Sequence, residues 1–479
     1  MMKRRKFLSL SGAAALVLLN GCGGSSSTDM PDNGPGDGSG EGNPSLPPAD
    51  EKLLPIPPAL HGNVFDLTVQ PAQHEFFAGI STSTFAVSGS YLGPTLFLRN
   101  GSTVSINYTN TLNEIISMHG HGMHLPSVMD GTPHQAFSPG DTWSARYTVK
   151  QKACTNWYHP HTLDRTAVQV YKGIAGMIIV EDDESDALDL PKRYGADDIP
   201  LVLQDRVFDG NGQIVYAPSR MQIMQGYVGD TFIANGAIEP TFNAEAKEIR
   251  FRILNGSNSS VYELGFSDGR NFKQIATDNA FLEAPVTMNR LLLSPAERAE
   301  IVVDFTGEKG QTLTLREYRH NKTFLHIDVN KDAGSITTLP SALTALEHLD
   351  PSSAVRTRTF TLEGRMGSFS INGRSMDMNR IDERVPLNDI EIWEVTNTMG
   401  IDHNFHIHAT HFMLLARNGS TNIAANEKGY IDTIFIPGRE SVKLIVKMTD
   451  YTDATVPYMY HCHFLEHEDN GMMGQFTVV

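Results

Sequence analysis

Apolar and polar residues alternate over short runs along most of this chain. Val64-Phe65-Asp66-Leu67-Thr68-Val69, Thr95-Leu96-Phe97-Leu98 and Ser102-Thr103-Val104-Ser105-Ile106-Asn107 each read as a strand between turns. So do Lys443-Leu444-Ile445-Val446-Lys447 and Gln475-Phe476-Thr477-Val478-Val479. Gly and Pro punctuate these runs, and helical periodicity is weak. The pattern predicts an all-β protein, and its 479 residues suit about three domains. We expect three consecutive β-sandwich domains, over residues 56–181, 182–345 and 346–479. The acidic stretch from Glu181 to Asp189 reads as the first connector. The second falls near Asp332 to Ser353, with a short helix expected around Leu343 to Leu349.

The first 55 residues do not share this pattern. Lys3-Arg4-Arg5-Lys6-Phe7-Leu8 places twin arginines before an apolar run from Ala13 to Leu19, too short to span a bilayer. Residues 1–21 therefore look like a twin-arginine export signal. Leu19-Asn20-Gly21-Cys22 resembles a lipoprotein cleavage site, with Cys22 as a lipid-anchored first residue. Residues 22–55, rich in Gly, Ser and Pro, read as a flexible tether. The expected location is the periplasm or cell envelope.

Histidine and cysteine placement brings in the chemistry. Near the C-terminus stands Tyr460-His461-Cys462-His463-Phe464-Leu465-Glu466-His467, followed by Met472. Cysteine, histidine and a distant methionine are the ligand types of a blue-copper electron-transfer site. Neighbouring side chains on a strand point to opposite faces. If Cys462 faces one metal, His461 and His463 face away from it together, toward a second centre. Three more His-x-His pairs occur: His119/His121, His159/His161 and His406/His408. On a strand each pair can present both rings to one cavity. Eight imidazoles exceed the need of one metal and suit a trinuclear cluster. His403, Cys462, His467 and axial Met472 remain for the blue site. The middle third has no His-x-His pair and reads as a spacer between the outer domains, whose interface would hold the cluster.

This arrangement resembles the three-domain multicopper oxidases, the superfamily of laccases, bilirubin oxidases and cuprous oxidases, over roughly residues 56 to 479. Ile178-Ile179-Val180-Glu181-Asp182, Leu203-Gln204-Asp205-Arg206, Asn235-Gly236 and Arg252-Ile253-Leu254-Asn255 look like its bacterial copper-efflux branch. The resemblance implies cupredoxin-like Greek-key sandwiches and four coppers per chain. His119 and His406 would hold type 2 copper. His121, His159, His161, His408, His461 and His463 would hold the type 3 pair. His403, Cys462, His467 and Met472 would hold type 1. It also implies one-electron oxidation of a substrate at type 1, transfer through Cys462, and four-electron reduction of dioxygen to water. Asp130 and Glu468 stand where the family carries proton-supplying carboxylates; for Asp130 a plain turn before Gly131, and for Glu468 surface charge, are the alternatives.

Two positions depart from the family. Gly120 replaces a bulky residue, which predicts a looser neighbourhood. Asn404 replaces a proline and can donate a hydrogen bond that proline cannot. The expected reductants are phenols and aromatic amines, because the segment from Gly364 to Ile381 is short, holds only Met366, Met376 and Met378, and would leave the type 1 edge exposed. Cu(I) is the alternative reductant, and Met399 and Asp402 are candidates to line the substrate side. A copper-free scaffold protein is a further alternative, which predicts missing histidines. Cys154 is expected to be a small buried residue. With only three cysteines, no internal disulfide framework is expected. Deleting Lys3, Arg4, Arg5 and Lys6 shifts the formal charge from −17 to −21. That argues against nucleic acid as a partner and for solubility; a monomer is expected.

Overall fold

The computed structural model describes residues 52–365 and 367–479. The expected export signal, Cys22, the expected tether as far as residue 51, and Met366 lie outside the described residues. The strands Val64–His74, Thr95–Arg99, Thr103–Asn110, Ser441–Lys447 and Met473–Val478 cover the five predicted runs to within a residue. The period of two decides their burial: Val104, Ile106 and Tyr108 point into a core while their neighbours point out.

Six sheets pair into three successive cupredoxin-like sandwiches. In the first, four strands (Thr82–Val87, Val64–His74, Thr103–Asn110, Thr142–Thr148) pack on five (Ala59–His61, Thr95–Arg99, Gly176–Glu181, Cys154–Pro160, Met118–His121). Phe65, Leu67 and Ile106 of one sheet meet Leu96, Ile178 and Val180 of the other. The second joins a seven-stranded to a five-stranded sheet around Phe251, Tyr262, Phe266 and Phe324. The third joins two five-stranded sheets around Phe360, Trp393, Phe405 and Tyr460. Among the described residues no helix is long and apolar enough to cross a membrane.

The connectors differ in part from expectation. The first contains a short helix, Asp183–Ala187, whose N-terminal Asp182 side chain accepts from the Ser185 N–H. The helix expected around Leu343–Leu349 does not form. That segment has no regular structure, and its backbone donors are taken from outside: Leu343 N–H goes to Glu283 O and Glu347 N–H to the Tyr430 hydroxyl. The leucine spacing instead serves two separate contacts, Leu343 against one cluster and Leu346 against another.

One middle-domain residue ties all three sandwiches together. Arg298, fully buried, donates to Thr155 O at 3.0 Å and Asn156 Oδ1 at 2.6 Å in the first domain. It also donates to both carboxylate oxygens of Asp432 in the third, at 2.8 and 2.6 Å. Removing one partner of a buried pair strands the other charge. Arg298→Met should therefore cost about 3–5 kcal/mol, read as a lowered unfolding midpoint; an unchanged midpoint would show the pair to be dispensable.

Candidate metal centres

Strand pairing sets the histidine geometry. Met118–His121 runs antiparallel to Cys154–Pro160, so His119 lies opposite His159. In the third domain His403–Ile407 runs antiparallel to Asp453–His461, so His406 lies opposite His461. All ten predicted histidines are at most 1% exposed. They gather at the junction of the first and third sandwiches.

Their ring nitrogens converge in separate groups. His159 Nε2 lies 3.4 Å from both His121 Nδ1 and His463 Nε2. His461 Nε2 lies 3.3 Å from His161 Nε2 and 3.2 Å from His408 Nε2. His119 Nε2 and His406 Nε2 are buried with no hydrogen-bond partner. Most of these rings hold a proton on the other nitrogen. His119 Nδ1 donates to Asp130 O (2.7 Å), His159 Nδ1 to Pro160 O (2.7 Å), and His406 Nδ1 to Asp432 O (2.9 Å). His408 Nδ1 donates to Asp130 Oδ2 at 2.7 Å and His121 Nε2 to Asp432 Oδ1 at 2.9 Å. A neutral imidazole that donates through one nitrogen has only a lone pair on the other. Lone pairs facing one another at 3.2–3.4 Å repel. Cations placed among them remove that repulsion, so these residues fit metal ions.

Protonation agrees. Burial, reinforced by neighbouring imidazoles, holds His121, His159, His161, His403, His408 and His463 well below their usual range. Burial takes His406 down to about 4 against the opposing pull of Asp432, and His467 down to about 3. All are neutral at pH 7, the state a metal requires.

The sulfur site is separate. Cys462 Sγ lies 3.5 Å from His403 Nδ1 and 3.7 Å from His467 Nδ1. Met472 is fully buried in the same core, and its carbonyl accepts the Cys462 N–H at 3.1 Å. Burial pushes the Cys462 thiol up to about 12. A thiolate there needs a cation, and its neighbours are neutral rings. A thiolate with two imidazoles suits a soft metal such as copper. The peptide bonds of Cys462 lead directly to His461 and His463 in the other groups.

Asp130 and Glu468 are fully buried against the histidine cluster. Asp130 occupies the turn before Gly131 and also contacts two rings, with Oδ1 3.3 Å from His119 Nδ1. Gly131 has φ +74, and a Cβ there would lie 1.8 Å from Met118 O. Glu468 is not surface charge: its oxygens lie 3.2 Å from His461 Nδ1 and 3.5 Å from His161 Nδ1.

Several features were not anticipated. Asp432 holds His121 and His406, and Asp278 in turn accepts the Asp432 and Arg298 N–H groups. Burial pushes the Asp432 carboxyl up, but Arg298 and His121 outweigh it and keep Asp432 well below the usual range. Asn404 accepts the His463 N–H at 2.6 Å and lies 3.6 Å from Cys462 Sγ; its amide donates to Pro295 O. Gly120 leaves no loose neighbourhood, because Met123 and Leu125 fill the space to within 3.4 and 3.6 Å of a Cβ position. Nor is the sulfur site's edge exposed. The helix Arg220–Gln225 from the middle domain covers it, and Met224 O lies 3.3 Å from His467 Nε2. Met399 Sδ lies 3.3 Å from His403 Nε2. Asp402 is engaged by Arg319 at 3.3 Å and by the Gly438 N–H at 3.2 Å. Cys154 is buried as expected.

Fold and site together define a redox metalloprotein: cupredoxin-like sandwiches carrying a sulfur–nitrogen centre joined by its own backbone to a polynuclear histidine cluster. Models of multicopper oxidase domains match residues 68–185, 181–324 and 346–479. The chain belongs to the multicopper oxidase family, and is a copper-binding oxidoreductase that passes electrons from reducing substrates to dioxygen. It is 34% identical over 418 residues to multicopper oxidase mco of Staphylococcus haemolyticus, covering 86% of this chain and 88% of that protein. It is 36% identical over 445 residues to the cell division protein FtsP of Sodalis glossinidius, covering 89% and 92%. The solved laccase-like multicopper oxidase CueO of Ochrobactrum sp. superposes with a TM-score of 0.84 at 36% identity, over 89% of this chain and all of that one.

The buried neutral histidines make the metal-free protein acid-sensitive. An unfolded histidine titrates near 6.5. Below that pH the unfolded chain binds protons that the folded rings refuse until about 4 for His406 and about 3 for His467. Stability is therefore full above about pH 6.5 and falls as pH drops, by about 1.4 kcal/mol per unit for each such ring. Unfolding midpoints of metal-free protein between pH 7 and 4.5 should decline steeply; a flat profile would contradict neutral burial.

Proposed function

We propose that this chain binds four coppers and works as a laccase-like oxidase, with phenols and aromatic amines as reductants on its likeness to the solved laccase-like enzyme active on lignin model compounds rather than on an open site. The carrying observation is the convergence of acceptor-only ring nitrogens at 3.2–3.4 Å. His403, Cys462, His467 and Met472 hold type 1 copper. His119 and His406 hold type 2, and His121, His159, His161, His408, His461 and His463 hold the type 3 pair. When bound, copper supplies one-electron acceptance and the four-electron reduction of dioxygen to water. The chain's own part is to hold these rings neutral, exclude bulk water and supply protons. The His461–Cys462–His463 backbone is the shortest covalent route between the two regions. Asp130 and Glu468 stand against the outer nitrogens of His119, His408, His461 and His161, where they relay protons toward the cluster.

Cu(I) is a second reading. It is favoured by the Met399 thioether beside His403 and by the cover over His467, which a small ion passes more easily than a ring. A copper-free scaffold role, prompted by the similarity to a cell division protein, is disfavoured because no histidine of the set is missing. We further propose domain boundaries after residues 181 and 345, a monomeric state, and twin-arginine export to the periplasm or cell envelope with a lipid on Cys22. Mass spectrometry of the mature N-terminus should find diacylglyceryl on Cys22.

Purified, copper-loaded protein should hold about four coppers per chain and show an intense blue band that Cys462→Ser abolishes. Little copper and no band after full loading would remove the oxidase reading. Asp130→Ala should slow dioxygen reduction by about 10²-fold while reductant still bleaches the blue band. Unchanged turnover would exclude Asp130 from proton supply.

A further inference from the structure

Two histidines outside the set described above stand close together. His124 lies three residues beyond His121, and His411 three beyond His408. They meet where the first and third sandwiches adjoin, in a cleft of about 360 Å³ that the second connector also borders. His124 Nε2 lies 3.3 Å from His411 Nδ1.

That spacing repeats the pattern of the main centres. It is longer than an ordinary N–H hydrogen bond, whose mode is about 2.9–3.0 Å. It matches two imidazoles on one tetrahedral ion: nitrogens bonded at about 2.0–2.1 Å lie roughly 3.3–3.4 Å apart. Behind His124, Asp450 Oδ2 accepts from Nδ1 at 3.0 Å. A carboxylate behind a ring fixes its tautomer and aims the other lone pair, as in carboxylate–histidine–metal triads. Asp432 does the same for His121. The His411 ring is held by stacking on Tyr430, with centroids 3.9 Å apart. Burial, and then the neighbouring His124, holds His411 down near 3, so the ring is neutral at pH 7 and has one ring nitrogen free to bind a cation.

Charge and space permit an ion. Of the lysines at the rim, Lys150 faces Asp450 at 3.4 Å and Lys152 faces Glu184 at 2.6 Å. Lys447 and Glu347, of opposite charge, are the remaining charged lining residues. The open side of the cleft leaves room for water to complete a coordination shell.

We infer that His124 and His411 form an additional divalent-cation site, separate from the oxidase centres, for an imidazole-preferring ion of the Zn²⁺ or Cu²⁺ type. Asp450 is its positioning residue. The site rests on two protein ligands and is therefore weaker and more exchangeable than the buried centres. It does not depend on how the main centres are filled.

The test is equilibrium dialysis of copper-loaded, desalted protein against Zn²⁺, and in a parallel arm against Cu²⁺, with metal analysis and the blue band recorded. Wild type should take up one Zn²⁺ more per chain than His411→Gln, with copper content and blue band equal in both. The Cu²⁺ arm should show the same one-ion difference if the site accepts either ion, and none if it is selective for zinc. Asp450→Asn should weaken Zn²⁺ binding by roughly 10–100-fold. Equal Zn²⁺ uptake by wild type and His411→Gln would overturn the site, and so would uptake matched by copper loss. Because the readout is a difference in zinc, it stands even if the copper count departs from four.

Discussion

The contact between Arg298 and Asp432 is the constraint on which the rest of this structure depends. It lies where no solvent reaches, and it belongs to all three domains: a middle-domain guanidinium, a third-domain carboxylate, and first-domain acceptors at Thr155 and Asn156. Two charges taken out of water are costly unless geometry and hydrogen bonding are complete. Here the pairing is bidentate, and Asp278 satisfies the surrounding backbone donors. What the pair secures is position. Asp432 carries His121 on its side chain and His406 on its carbonyl, one ring from each outer domain. The middle sandwich brings no cluster histidine of its own, yet it decides where those two rings stand.

A second constraint follows from burial. Neutral imidazoles are inexpensive to bury, but lone pairs facing each other are not satisfied by the protein alone. The protein itself offers His119 Nε2 and His406 Nε2 no hydrogen-bond partner. The scaffold is preorganised at the expense of its own stability, and ligand binding recovers what folding gives up. Asp130 tempers the cost by accepting the outer N–H groups of His408 on its carboxylate and of His119 on its carbonyl.

The ligand residues were legible because their chemistry restricts residue type and the strand period restricts spacing. His-x-His and the Cys462 block carry both kinds of information in a few neighbouring positions. The sandwiches were legible for the same reason: alternation is local. Arg298, Asp278 and Asp432 were not, since each is a single common residue whose meaning lies in a partner over a hundred positions away. The leucines at 343, 346 and 349 suggested a helix, but tertiary hydrogen bonds from Glu283 and Tyr430 overrode that spacing. Gly120 suggested looseness because the residues that fill its space, Met123 and Leu125, belong to the following turn.

The cover over the sulfur site shows why access cannot be judged from the length of one segment. The stretch from Gly364 to Ile381 is short, but the helix Arg220–Gln225 arrives from another domain and closes over His467. Glu466, next to that histidine in sequence, holds the cover near both ends. It accepts from the Tyr216 hydroxyl at 3.0 Å and the Tyr227 N–H at 3.4 Å. It also accepts from Asn258 and Ser259, so the buried carboxyl is met by several donors, although burial still holds it above the ordinary carboxylate range. A reductant meets a helix and a carbonyl before it meets the imidazole edge. The same cover keeps water from the cysteine sulfur and the rings beside it. Exclusion of solvent from the sulfur site thus rests in part on one buried carboxyl group and the donors it collects.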